Sequence, residues 1–162
     1  YYIMVRKPFI EKMEELAERD DRVILVIGDM GFTYMQDYMK KFPKQFMDIG
    51  VLEQTMMGVV FGLSRSGWKP YVYTMTNFIL FRPYEQFRND ICHQNANVKF
   101  FGIGGDKGYN FQGYAHNVDP GEDERILAHL PNVKAYYPTA EEETKEIMEK
   151  EYHRQGPSFM RV

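Results

Sequence analysis

The chain has 162 residues, 44% of them hydrophobic, and its 20 basic against 23 acidic side chains leave a formal net charge of -3. That length and apolar content fit one domain with a substantial core, and the near balance of charge gives no support to a nucleic-acid surface. A single cysteine, Cys92, excludes an internal disulfide and any multi-cysteine zinc site within the chain, and is expected to be a small buried hydrophobe.

In chain order, Phe9, Ile10, Met13 and Leu16 recur at helical spacing, with Pro8 suited to a first helical turn. "RVILVIGD" then reads as a strand buried on both faces of a parallel sheet. Further strands are expected at "KPYVYTM", "NVKFFGIGG", "VKAYY" and "PSFMRV". Helices are expected at about 53–66, 77–94 with a bend at Pro83, 122–129 and 140–154. Strand and helix alternate throughout, which predicts an α/β fold: a mostly parallel sheet with helices on both faces, in three layers. The longest apolar runs are strand-sized and the first residues lack the charged-then-apolar order of a signal peptide, so a soluble, cytoplasmic protein without membrane contact is expected.

Ligands of such sheets collect at the carboxyl ends of the strands. Four segments should therefore share one edge: those holding Asp29, Gly50, Asn77 with Phe78, and His116. Several motif-like strings do not survive inspection. "GLSRSGWK" resembles a phosphate-binding loop, but Trp68 separates Gly67 from Lys69 and the string runs from helix into strand. "GIGGDKG" lacks dinucleotide-loop spacing and leads into a loop. "GDMG" resembles the start of a magnesium-diphosphate motif, but the asparagine needed further on is replaced by Gln54 and Thr55. Cys92 and His93 are neighbours on a helix and diverge, and His116, Glu122 and His129 match no standard metal spacing. No metal site is expected in this chain.

"MDIGVLEQTMMG" is harder to dismiss, because it places the carboxylate of Glu53 at the start of an apolar helix. Helix entry alone accounts for such a charge, since the backbone dipole favours it by about 0.3–1 kcal/mol. The longer string "FMDIGVLEQTMMGVVFGLSRSGWKPYVYTMTNF", however, resembles the pyrimidine-binding domain of the transketolase family of thiamine diphosphate enzymes. The resemblance extends over nearly the whole chain, from "VILVIGDMG" to "GPSFMRV", and the Glu-Gln form of the motif is similar to split-transketolase carboxy-terminal subunits and to 1-deoxyxylulose-5-phosphate synthase.

The resemblance implies a thiamine diphosphate-binding fold of the pyrimidine-domain type, spanning residues 1–162. It implies that Glu53 hydrogen-bonds a ring nitrogen of the cofactor's aminopyrimidine and favours the imino tautomer that deprotonates the thiazolium C2. Met56, Met57, Val59 and Val60 are the apolar neighbours it implies. By the same resemblance Phe78 lies against the aminopyrimidine, Met75 and Phe81 flank it, and Asp29 lies near the thiazolium. His116 faces substrate, and Arg82 takes the place of an arginine near a substrate phosphate. Each has a plainer reading: apolar residues lining a helix, a turn residue at Asp29, a structural loop histidine, and at Arg82 a surface partner for Glu85. The chain departs from the family pattern at Gln112 and Asn117 and in a longer "VDPGED" segment, where donor or acceptor recognition is expected to differ.

The diphosphate-binding and carboxy-terminal transketolase domains have no counterpart in these residues. The resemblance therefore implies a diphosphate-binding partner subunit or domain that also holds Mg2+, and a homo- or hetero-oligomer. The implied activity is two-carbon ketol transfer between sugar phosphates. The alternatives are a 1-deoxyxylulose-5-phosphate synthase-like or other carboligase component, or a non-catalytic partner that retains the fold.

Overall fold

The run Val23–Ile27 forms β1, buried at every position. Around it stand β2 (Phe46–Asp48), β3 (Lys69–Met75), β4 (Lys99–Ile103), β5 (Lys134–Tyr136) and β6 (Ser158–Arg161). They make a six-stranded sheet in the order β2-β1-β3-β4-β6-β5, with every pairing parallel. The structure is a computed structural model; it describes residues 3–104 and 114–162, without the side chains of 3–6 and 114.

Parallel neighbours need crossovers, and helices supply them on both faces. The helices are α1 (Ile3–Arg19), α2 (Phe32–Lys41), α3 (Glu53–Arg65), α4 (Thr76–Leu80), α5 (Tyr84–Gln86), α6 (Glu122–Ala128) and α7 (Glu141–His153). α5 continues into a π-helical stretch, Phe87–His93, and a short 3-10 turn covers Tyr114–His116. Alternate strand residues point to opposite faces, so β1 divides its side chains between two cores. Val23, Leu25 and Ile27 join Phe9, Met13 and Leu16 of α1, Tyr38 of α2 and Met148 of α7. Ile24 and Val26 join Met56, Met57 and Val60 of α3, Phe87 and Ile91 of the π-helical stretch, and Phe100 and Phe159 from the sheet. Gly102 on β4 matters here, because a Cβ there would stand 2.6 Å from Thr76 Oγ1 and 2.7 Å from the Phe159 ring. Its bareness lets α4 start directly over the sheet, at the edge where the candidate site lies.

Differences from the expected elements have local causes. α1 begins ahead of Pro8, which lies inside the helix; the lost backbone bond is offset by the burial of Phe9, Met13 and Leu16. The helix expected over 77–94 is three pieces, because Pro83 has no N–H to donate and the chain turns between α4 and α5. α2 and β2 were not expected. Only Met35 and Tyr38 of α2 are buried, too few to mark a helix face in the sequence, and β2 is a three-residue edge strand. Cys92 is buried as expected, and burial pushes its thiol up to about 12.

Two polar clusters hold the outer helices. On the surface, Glu149 of α7 accepts Arg19 Nη2 at 2.7 Å and Lys12 Nζ at 2.7 Å, both from α1. Those hydrogen bonds, Arg19 first, hold the Glu149 carboxyl down from 4.5 to about 2. A carboxylate whose folded value is depressed contributes stability above its unfolded value and loses it as pH falls towards the folded one. The thermal midpoint is therefore expected to fall between about pH 4.5 and pH 2, and E149Q to flatten part of that fall. Parallel pH profiles for the two proteins would show that the clamp contributes nothing.

The second cluster is buried at the amino-terminal edge of the sheet. Glu151 of α7 accepts two 2.8 Å bonds from Arg154 Nε and one of 2.6 Å from Tyr136, and lies 3.4 Å from Lys99 Nζ. Lys99 also donates to the carbonyls of Gly156 at 2.6 Å and Arg154 at 3.0 Å. Burial pushes the Glu151 carboxyl up, but the bonds from Arg154 and Tyr136 outweigh it and hold the group below the usual range. β4, β5 and α7 are thereby tied at one point.

Candidate functional site

After β1 the chain crosses to β2 on one side, then returns past β1 to β3 on the other. Such a reversal opens a crevice at the carboxyl ends of the strands. The four segments expected at one edge do follow the carboxyl ends of β1, β2, β3 and β4. Asp48 closes β2 and organises two of them: its carboxylate accepts the backbone N–H of Asp29 at 3.0 Å and of Gly50 at 2.9 Å. Asp29 itself turns in a left-handed conformation, φ 52°, with its side chain exposed.

Gly50 has φ 72°, a conformation glycine adopts without strain. The turn it makes delivers Glu53 as the first residue of α3, only 7% exposed. Behind it Met56, Met57 and Val60 are fully buried. An almost dehydrated carboxylate at a helix start draws on the exposed N–H groups there and on nearby cations. The cation is Arg82, from the turn between α4 and α5, whose Nη1 lies 2.6 Å from Glu53 Oε1. Arg82 therefore pairs with Glu53, not with Glu85.

The same guanidinium lies over the Phe78 ring, with its central carbon 3.7 Å from the ring centroid. Phe78 in turn meets the His116 ring edge-on at a centroid distance of 5.2 Å. Glu53, Arg82, Phe78 and His116 thus form one continuous constellation. Met75 closes β3 beneath it, 3% exposed, whereas Phe81 lies on the rim at 38% exposure. Asp29 stands to one side, on the neighbouring turn that Asp48 ties to Gly50.

Asn77 was not expected as a site residue. It is 7% exposed, and its side-chain amide donates to the carbonyl of Ala115, drawing the His116 turn onto α4. Its position at a strand's carboxyl end, followed by an aromatic, was the available signal. Among the described residues, Asn77 Oδ1 and His116 Nδ1 are buried without a hydrogen-bond partner. Buried polar atoms of this kind are satisfied in most proteins, so two on the segments joined by the Asn77–Ala115 bond leave hydrogen-bonding capacity that a polar ligand could use. Gln112, where the sequence departs from the family pattern, lies outside the described residues. Among the described residues no three or more His, Cys, Asp or Glu side chains gather as a metal site. No helix there is long and apolar enough to cross a membrane.

A carboxylate, a guanidinium, an aromatic ring and an imidazole are thus gathered at one edge of the sheet. The chain matches the family model "Transketolase, pyrimidine binding domain" over residues 2–162, and it belongs to that family. It is 29% identical over 161 residues to one subunit of the apulose-4-phosphate transketolase of Phocaeicola vulgatus, an alignment covering 99% of this chain and 51% of the relative. It is 32% identical over 158 residues to 1-deoxy-D-xylulose-5-phosphate synthase of Halalkalibacterium halodurans, covering 90% and 24% respectively. Among solved structures, a split-gene transketolase described as an inactive beta4 tetramer superposes with a TM-score of 0.84 at 29% identity, over 96% of this chain and 50% of that one. The chain thus spans about half the length of the first relative and about a quarter of the second. The expected α/β fold of the pyrimidine-domain type is the one observed. Enzymes of this family are thiamine diphosphate-dependent transferases.

Proposed function

We propose that this chain supplies the aminopyrimidine half of a thiamine diphosphate site in a transketolase-like enzyme. The observation that carries the reading is Glu53, dehydrated at the first turn of α3 and bridged by one cation to the face of Phe78. The bound cofactor would supply a nucleophilic carbon for two-carbon ketol transfer between sugar phosphates. Within that arrangement Glu53 holds or gives up a proton at a ring nitrogen, Phe78 offers the stacking face, and Met75 and Phe81 bound the slot. His116, with Nδ1 open, faces the substrate, and Asn77 positions the turn that carries it. Asp29 lies on the thiazolium side.

Magnesium and the diphosphate are assigned to a partner subunit or domain, since "GDMG" is not followed by the asparagine that a magnesium-diphosphate motif carries. Among the described residues, Phe32, Tyr34, Val51, Leu52, Phe81 and Tyr84 are the large apolar side chains left exposed, at 38% to 57%. All stand on segments that follow the carboxyl ends of β1, β2 and β3. Apolar surface at the rim of the site supports a partner docked over it, in a homo- or hetero-oligomer. A 1-deoxyxylulose-5-phosphate synthase-like component is a second reading, favoured by the 32% identity to such an enzyme. A fold-retaining partner without catalysis is disfavoured by the intact Glu53–Phe78 pair.

Calorimetric titration with thiamine diphosphate and magnesium tests the division of labour. The chain alone is expected to show weak or no calorimetric binding, an affinity low enough to need a millimolar NMR titration, because diphosphate contacts carry much of the affinity. Mixed with a diphosphate-binding chain it should bind tightly and convert a ketose phosphate donor and aldose phosphate acceptor, without decarboxylating pyruvate. A sub-micromolar dissociation constant for the chain alone would overturn the assignment.

A further inference from the structure

We propose that Arg82 is a movable plug that fills the aminopyrimidine slot until the cofactor displaces it, an inference that rests on the reading above. The guanidinium satisfies both surfaces the ring would use: its Nη1 is 2.6 Å from Glu53 Oε1 and its central carbon lies over Phe78 at 3.7 Å. A guanidinium and an aminopyrimidine are alike in being flat, nitrogen-edged and able to hydrogen-bond a carboxyl group, the first by donating N–H, the second through a ring nitrogen that shares the carboxyl's proton. They cannot occupy the same contact together. The two partners differ in exposure, with the Arg82 side chain 43% exposed and that of Glu53 9%. Arg82 therefore reaches in from solvent over a carboxylate that cannot itself move outwards. Its backbone is held separately, by Gln54 Nε2 donating to its carbonyl at 3.4 Å, so the side chain can swing while the turn stays. In the unloaded chain the plug keeps Glu53 from being a buried, unpaired charge. Loading requires that ion pair and that stacking contact to be exchanged for the cofactor's own.

The full chain, titrated with 4-amino-5-hydroxymethyl-2-methylpyrimidine and followed by NMR, tests this without catalysis or a partner. In the free protein the Arg82 δ-methylene and Nε–H signals are expected to be shifted by the Phe78 ring current. The probe should return them to ordinary positions. R82Q is expected to bind the probe about three- to tenfold more tightly, the scale of an exposed ion pair and a cation–π contact together. R82M, which removes the hydrogen-bonding end, should show the same gain; tightening in R82Q alone would assign it to the new amide and overturn the plug. Equal affinities for wild type and both variants, with Arg82 signals unmoved, would also overturn it while leaving the slot intact. If the probe perturbed neither Phe78 nor Glu53 in any of the proteins, the slot itself would be refuted and the plug with it.

Discussion

Replacing Glu53 by glutamine, in the assembly with a diphosphate-binding partner, is expected to lower turnover by about 10²- to 10⁴-fold, the range of a positioned proton-transfer group. Glutamine keeps the size of the side chain and can still hydrogen-bond a ring nitrogen. What it cannot do is share a proton with it. The fold should be untouched, because the residue lies in the first turn of α3 and the buried layer behind it, Met56, Met57 and Val60, is unchanged. If Glu53 were only a favourable charge at a helix start, the same substitution would cost about 0.3–1 kcal/mol of stability and no activity. Steady-state turnover and a denaturant midpoint, measured on the same preparation, separate the two.

E151A should have the largest effect on stability, about 3–5 kcal/mol, because it strips the carboxylate from a buried cluster and leaves Lys99 without an anionic partner. Lys99 is 3% exposed, and burial, which outweighs the opposing pull of Glu151, draws its amine down to about 8. Two carbonyl oxygens still accept from it in the variant, but they cannot offset a whole charge. Tyr136 and the Nε of Arg154 lose their acceptor as well, although the Arg154 Nη atoms keep theirs on the carbonyls of 155–157. The double variant K99M/E151A should regain much of the loss, since the charge and its partner are then removed together. Urea unfolding of the four proteins of this cycle measures the coupling; additive losses would show that the pair is not coupled.

The parts of the fold that the sequence discloses are those buried on both faces. Val23–Ile27 and Lys69–Met75 are runs that water would penalise in any half-exposed setting, so their place in a parallel sheet is written into composition. β2 escapes because an edge strand of three residues is paired on one side only and needs no apolar run. The helix through Pro83 was over-extended for the opposite reason. Ile79, Leu80, Phe87 and Ile91 all face one core and so keep a helical rhythm across a break that only the missing proline N–H imposes.

Glu53, Phe78 and His116 were singled out in the sequence, and the fold brings all three to one edge, through Arg82 and the Phe78–His116 contact. Arg82 was legible as a cation but not as Glu53's partner. The two are 29 positions apart, and only the turn before α5 points one at the other. Asn77 was legible as part of a segment at this edge but not as the residue that holds the His116 turn, because a buried side-chain amide donating to a distant carbonyl leaves no periodic trace. Asp48 was missed, since its task of joining the turns at Asp29 and Gly50 is a property of two parallel strand ends side by side.

The central claim is that Glu53 acts on the cofactor's proton chemistry, and hydrogen–deuterium exchange at C2 of the bound cofactor reads that directly, ahead of any sugar. Wild type and E53Q, each assembled with the diphosphate-binding partner and saturated with thiamine diphosphate and magnesium, would be mixed with D2O, quenched in acid and read by proton NMR. Fast exchange is expected in the wild type, and exchange slowed by orders of magnitude in E53Q, with the cofactor still bound. Equal exchange rates in the two proteins would contradict that role and leave Glu53 as an ordinary helix-entry charge.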